Sequence, residues 1–235
     1  MLNKIKQRKK FHSDKIKYNK QNIDDNFIVV NKNIRRHYDW EKQAGDIDEH
    51  YFFMDLYMAK RILSNHTSIH YDIGSRIDGF IAHLLTTINV VMIDVRPLNF
   101  NVEGLEFLQG NACQLPLEDN SISSLSSLHA LEHFGLGRYG DPIDPDAWKK
   151  ALDEMVRVLM PNGILYLAVP VANKDALYFN AHRVFNPITI INKMSQVELL
   201  EFRYIKNMNI SDHIMKIEEE DYGEYSCGLF IFQKK

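Results

Sequence analysis

Gly74 and Asp94 are the first residues in this 235-residue chain whose types and spacing could do chemistry. Gly74 lies in Tyr71-Asp-Ile-Gly-Ser-Arg-Ile-Asp-Gly79, where an apolar run gives way to a helical pattern. A glycine at such a turn lets the backbone approach a ligand closely, and the free N–H groups of the following helix face the same point. The turn could hold a nucleotide-like cofactor. Arg76 and Asp78 stand where many nucleotide turns carry further glycines, so a plain structural turn is the competing reading. Asp94 ends the apolar run Val90-Val-Met-Ile-Asp94. It follows the glycine by about twenty residues, which brings a carboxylate to the tip of a neighbouring strand, where it can accept hydrogen bonds from both hydroxyls of a ribose. A solvent-facing loop acid is the alternative for Asp94 taken alone.

Alternating strands and helices must hold these residues in place. Ser68 to Ile73 reads as a first strand, Gly79 to Thr86 as the helix after it, and Val90 to Asp94 as a second strand. Leu105 to Gln109 and Ser123 to Ser127 read as a third and a fourth. The next helix opens with Asp144 as N-cap and Pro145 in first position, carries Trp148, Leu152, Met155, Val156 and Leu159 on one face, and stops at Pro161-Asn-Gly163. Ile164 to Val169 follows as a fifth strand, and Leu199 to Ile205 and Ser226 to Phe232 as a late, hairpin-like antiparallel pair. Ahead of them, the apolar residues from Asp48 to Asn65 recur at helical spacing. The pattern predicts an α/β fold, a parallel sheet with crossover helices.

Composition bounds the rest. An apolar content of 45% supports one soluble domain with an elaboration, and no stretch reads as a membrane span or secretory signal, so a cytoplasmic location is expected. Cys113 and Cys227 lack metal-ligand spacing and read as free thiols. Met1 to Lys20 holds eight Lys or Arg against one Asp. Such an arm could follow nucleic acid or an anionic membrane face, but Phe11 and Tyr18 make poor stacking partners and no nucleic-acid motif accompanies them. A solvated, partly disordered tail is the reading kept, with no nucleic-acid partner expected. The domain organisation is then a basic arm and irregular lead-in over 1–47 and one domain over 48–235.

In this order, the residues resemble the class I S-adenosylmethionine-dependent methyltransferases, over about half the chain. Asp72-Ile-Gly74 resembles the family's first motif, and Asp94 its ribose acid. Gly110 to Ile122 resembles the segment that brings a polar side chain, here Asn111, to the adenine. Leu128 to His133 resembles the fourth-strand exit, and Leu152 to Gly163 the following helix and turn. A dehydrogenase keeps the first two motifs without predicting the last three. The resemblance implies the α/β, Rossmann-like class I methyltransferase fold, a mostly parallel seven-stranded sheet with helices on both faces and a late antiparallel strand. It implies S-adenosylmethionine as cofactor, contacted by Asp72, Gly74, Ser75, Asp94, Val95, Arg96, Asn111, Ala112 and His129.

A closer resemblance lies in the flanks. His50-Tyr-Phe-Phe-Met-Asp55, Gly135-Leu-Gly-Arg-Tyr-Gly-Asp141 and Phe179-Asn-Ala-His-Arg-Val-Phe185 resemble a methyltransferase-like family catalogued mainly as a domain of unknown function. Its members are often found with bacterial surface-polysaccharide (capsule) biosynthesis, which implies a carbohydrate or phosphorylated acceptor. A hydroxyl acceptor needs a proton acceptor, and His133 and His182 are the two candidate catalytic bases. Arg138 and Arg183 could bind a phosphate or carboxylate, and Tyr139 and Asp141 could position a hydroxyl. No metal is called for, because Asp144 in the acidic cluster Asp141, Asp144 and Asp146 already has a capping job. Oligomeric state is left open, a dimer included. The missing glycines at Arg76 and Asp78 keep a second reading alive, a non-catalytic binding or pathway-assembly protein on the same fold.

Overall fold

The computed structural model describes residues 2–41, 44–45 and 47–235, in two compact units, Met1–Ile47 and Asp48–Lys235. In the first unit, helix α1 (Leu2–Gln21) is followed by single 3-10 turns at Asp25–Phe27, Asn31–Asn33 and Asp39–Glu41. The basic arm is thus a helix and not an irregular tail. Lys, Arg and Gln are good helix formers, the Lys10–Asp14 pair at 2.7 Å spans one turn, and the Phe11 ring meets Tyr38 edge-on at 6.5 Å.

The second unit opens with α2 (Glu49–Ser64), whose N-cap Asp48 accepts the Tyr51 amide at 3.1 Å. Met54, Met58 and Ile62 recur every fourth residue and are buried against the sheet. Then come β1 (Ile69–Ile73), a wide π-type turn (Ile77–Ile81) running into α3 (Ala82–Leu85), β2 (Asn89–Asp94), β3 (Leu105–Gln109) and β4 (Ile122–Leu128). Helix α4 (Ala147–Val158) leads into β5 (Leu159–Val171), and the small hairpin β6 (Ala176–Tyr178) and β7 (His182–Val184) into α5 (Pro187–Lys193). The chain closes with β8 (Glu198–Lys206), β9 (Asn209–Ile210) and β10 (Ser226–Gln233).

The main sheet runs β3-β2-β1-β4-β5-β10-β8-β9. β1 to β5 are mutually parallel, and β10 is antiparallel to both β5 and β8. Helices cover both faces: α4 and α5 contribute to one apolar cluster, α2 and α3 to the other. The sheet has eight strands and not seven, because the Asn207–Met208 turn folds β9 back onto β8. β8 and β10 pair as expected but are joined by the long Asn207–Tyr225 connection. Asp144 does not cap α4. It accepts the Asp146 amide at 3.0 Å one turn early, and the helix begins at Ala147. Met160 to Gly163 continues β5 and does not form a separate stop, with Asn162 taking the left-handed conformation. Among the described residues, no helix is long and apolar enough to cross a membrane.

β1 lies between β2 and β4, so the chain leaves the sheet in opposite directions on either side of it. The crevice beyond the carboxyl ends of these strands is where ligands bind in such sheets.

Candidate functional site

The turn after β1 rests on a buried polar network. Gly74 has φ +73°, a region L side chains avoid, and a Cβ there would stand 3.0 Å from the Ala130 Cβ. Its amide donates to the Ile93 carbonyl at 2.9 Å, tying the turn to β2. Beneath it, the fully buried Asp72 carboxylate accepts the Ser75 amide at 3.0 Å, the Ser75 hydroxyl at 2.6 Å and the Ser126 hydroxyl. Ser75 Oγ in turn accepts the Leu128 amide at 3.1 Å. His70 completes the set, with Nδ1 2.7 Å from Ser124 Oγ and Nε2 2.8 Å from Ser126 Oγ. Since Ser126 spends its proton on Asp72, the His70 Nε2–H donates to Ser126 and Nδ1 accepts from Ser124. Burial pushes the Asp72 carboxyl up to about 6 against the pull of its serine donors, and pushes His70 down to about 3. Asp72 is therefore not on the cleft wall. It shapes the turn from below, with its carboxylate held by serine donors and absent from the lining of either cavity described next.

A first cavity opens beside Gly74. Ile93, Val95, Ala112 and Phe134 give it apolar walls, and Asp94 and Asn111 are among its polar groups. Asp94 is buried, and Arg96 grips it with three donors: amide at 2.8 Å and Nε at 3.0 Å to Oδ1, and Nη2 at 2.7 Å to Oδ2. Asn111 Oδ1 accepts the Cys113 amide at 2.9 Å, which leaves its NH2 as the group available to a ligand. The cavity thus combines apolar walls with a carboxylate and a side-chain amide.

A second, more polar cavity adjoins it, sharing Gly74, Arg96, His129, His133 and Tyr139 with the first. His129, at the exit of β4, takes a left-handed φ of 52° and pairs through Nδ1 with Glu132 Oε1 at 2.9 Å. Burial works against its charge, but Cys227 and Glu132 beside it raise its pKa well above the ordinary value. His133 Nδ1–H donates to the Ala181 carbonyl at 2.7 Å, so Nε2 is free, 3.7 Å from Glu132 Oε1. Burial lowers the His133 pKa, and that of His182, whose ring centre lies 6.4 Å away. Both candidate bases thus reach one cavity from different elements, the β4 exit and β7.

The loop after His133 sorts the remaining candidates. Arg138 donates to Ala181 O at 3.0 Å and lines the second cavity. The Tyr139 ring lies between Arg96 at 4.6 Å and Arg138 at 5.2 Å, and meets His133 edge-on at 5.4 Å. Asp141 lines the first cavity, but its oxygens accept the amides of Gly135 (2.8 Å), Gly137 (3.3 Å) and Tyr139 (3.2 Å) and hold the loop itself. Arg183 does not reach either cavity. Its guanidinium braces carbonyls of the same loop, at 2.7 Å to Phe134 O and 3.4 Å to Pro145 O.

Sequence reasoning missed Glu132, His50, Tyr51, Arg76 and Tyr225, which also line the second cavity. The His50 ring stacks between His129 (6.0 Å) and Tyr225 (5.4 Å), and Arg76 lies 4.6 Å over Tyr51. Glu132 carried a signal as an acid between two histidines at an apolar strand exit, and His50 and Tyr51 lay in a flanking motif to which no role had been given. Among the described residues, no group of three or more His, Cys, Asp or Glu side chains is placed to hold a metal ion.

Solved structures match this arrangement of sheet and helices. The 1,6-didemethyltoxoflavin-N1-methyltransferase of Burkholderia thailandensis, solved with its substrate and S-adenosylhomocysteine, superimposes with a TM-score of 0.56 at 14% identity, over 77% of this chain and 78% of that one. This is the class I methyltransferase fold. The N-methyltransferase NodS of Bradyrhizobium japonicum, solved with S-adenosylhomocysteine, gives 0.52 at 16% identity over 77% and 87%. The cyclase SpnF gives 0.56 at 14% identity over 80% and 84%, so the fold alone does not set the reaction. A family model described as "Caenorhabditis protein of unknown function, DUF268" matches residues 117–224; its description carries no activity and no link to surface polysaccharides. No curated protein matches the sequence.

Proposed function

We propose that the protein is an S-adenosylmethionine-dependent methyltransferase acting on a hydroxyl of a small acceptor, a sugar, nucleotide-sugar or sugar phosphate. The observation that carries this reading is that two cavities share Gly74, Arg96, His129, His133 and Tyr139: one has apolar walls with Asp94 and Asn111, and the other is lined by histidines. Asp94 would hold the ribose, Asn111 and Ala112 the adenine edge, Val95 an adenine face, and the Gly74–Ser75 turn with His129 the methionyl end. The cradle fits, since Gly74 and Ala130 line it together and a Cβ at Gly74 would crowd Ala130 at 3.0 Å. The bound cofactor supplies a methyl group activated on a sulfonium.

The chain's own residues then need only align the acceptor, exclude water and receive a proton. His133 and His182 are kept neutral by burial and can take part in that transfer. The ring walls of His50, Tyr51, Tyr139 and Tyr225 offer flat apolar faces to a sugar, and Arg138 a donor to an anionic group. Incubating the protein with methyl-labelled S-adenosylmethionine and a panel of nucleotide sugars and sugar phosphates, with mass spectrometry of the products, tests the reading. Label in a sugar hydroxyl supports it, and label in amines alone rejects the hydroxyl assignment.

One observation favours a second reading. Arg96 occupies both oxygens of Asp94, as it would in a chain that keeps the fold as a binding or assembly protein. Absence of cofactor binding would select that reading.

A further inference from the structure

Glu132 is the most heavily committed charge in the second cavity, and none of the roles above uses it. Its side chain is 2% exposed. One oxygen, Oε1, lies 2.9 Å from His129 Nδ1 and 3.7 Å from His133 Nε2, while the other, Oε2, is buried without a hydrogen-bond partner. Leaving a buried carboxylate oxygen unpaired is costly, and a catalytic role is one of the reasons native proteins keep such an atom. The residue is one of those that line the cavity.

The His133 ring defines what that ligand presents. Its Nδ1–H is fixed on Ala181 O, so the Nε2 lone pair faces the Glu132 carboxylate. At 3.7 Å the two acceptors are not hydrogen-bonded to each other, so neither takes up the other's capacity for a proton. On the opposite edge of the same ring, Arg138 Nη1 lies 3.3 Å from Nδ1. Carboxylate and guanidinium thus flank one imidazole, with His129 neutralising the buried charge of Glu132 from behind.

We propose that Glu132 is the catalytic base of this site, accepting the proton of the acceptor's hydroxyl at Oε2, and that Arg138 holds a phosphate of the same molecule across the His133 ring. The inference rests on the methyl-transfer reading. In the step, the hydroxyl O–H bond breaks and its proton passes to Glu132. The oxygen lone pair forms the C–O bond to the methyl group, and the S–C bond breaks, its electron pair turning the sulfonium into a neutral thioether. The proton stays on Glu132 through the step and passes to solvent as the products leave, so His133 is not the first acceptor.

The test uses the full chain saturated with S-adenosylhomocysteine and glycerol 3-phosphate as a minimal hydroxyl-and-phosphate probe, with inorganic phosphate and glycerol as separate arms. Wild type is expected to bind the probe more tightly than either fragment, and Glu132→Gln and Arg138→Ala to bind it at least about tenfold more weakly while retaining S-adenosylhomocysteine. If Glu132→Gln loses the cofactor product as well, Glu132→Asp, which keeps the charge but withdraws the oxygens, takes its place in the same comparison. Equal probe binding by wild type and the Glu132 variant overturns the proposal, as does a wild type that binds no probe at millimolar concentration. Failure of S-adenosylhomocysteine itself to bind wild type is a different result and rejects the methyl-transfer reading instead.

Discussion

The Arg96 guanidinium lies 3.0 Å from Oδ1 and 2.7 Å from Oδ2 of Asp94, so the acid at the tip of β2 is fixed in direction before any ligand arrives. A carboxylate offers about four acceptor positions, and Arg96 takes three of them, so the grip leaves one, on Oδ2, for a ribose hydroxyl. Arg96→Ala should therefore weaken S-adenosylhomocysteine binding by about three- to tenfold through loss of that orientation. Stability should change by under about 1 kcal/mol, because the Arg96 side chain is half exposed. Tighter binding in calorimetry would show instead that Arg96 competes with the ligand.

Gly74→Ala should cost about 1–3 kcal/mol of stability, from the left-handed φ and the 3.0 Å approach to Ala130. It should also narrow the first cavity and weaken cofactor binding. Urea unfolding and calorimetry read the two effects separately. An alanine variant of wild-type stability would mean the turn relaxes freely.

His70 and Asp72 should give opposing pH dependences. Folded His70 titrates at about 3 against 6.5 when exposed, so its contribution is complete above about pH 6.5 and is lost as pH falls toward 3. Folded Asp72 titrates at about 6 against 3.8, so its contribution is present below 3.8 and is lost as pH rises through 6. Replacing His70 by Asn removes only the first. The stability gap between wild type and His70→Asn should then narrow as pH is lowered from about 6 to 4, by up to about 1.4 kcal/mol per unit. A gap independent of pH would contradict a neutral His70.

Arg183→Ala should lower stability by about 1.5–3 kcal/mol, since it removes charge-assisted hydrogen bonds that brace the Phe134–Pro145 loop. Denaturant unfolding checks this. A stability equal to wild type, with loss of ligand binding only, would return Arg183 to the cleft.

The sequence made the alternating elements and the Gly74–Asp94 pair legible because both follow from local pattern. Strand order puts β1 beside β2 and β4, and the two residues meet at that point by topology alone. The role of Asp72 was not legible, since its partners Ser75 and Ser126 come from a turn and from a strand far along the chain. Arg183 and Asp141 read as cleft residues because loop side chains after strands usually face ligands. Here main-chain carbonyls and amides claim them first. The aromatic wall of the second cavity joins α2 to the residue before β10, His50 to Tyr225, a contact no local pattern reports. The α1 helix escaped notice because its charges surround it, leaving no apolar stripe to mark the period.

The central claim, that the first cavity beside Gly74 takes S-adenosylmethionine, is tested most directly by calorimetric titration of wild type and Asp94→Ala with S-adenosylhomocysteine. The account predicts a single site in wild type, weakened at least about tenfold by the substitution. No heat and no thermal shift in wild type, or equal affinity in the two proteins, would contradict it.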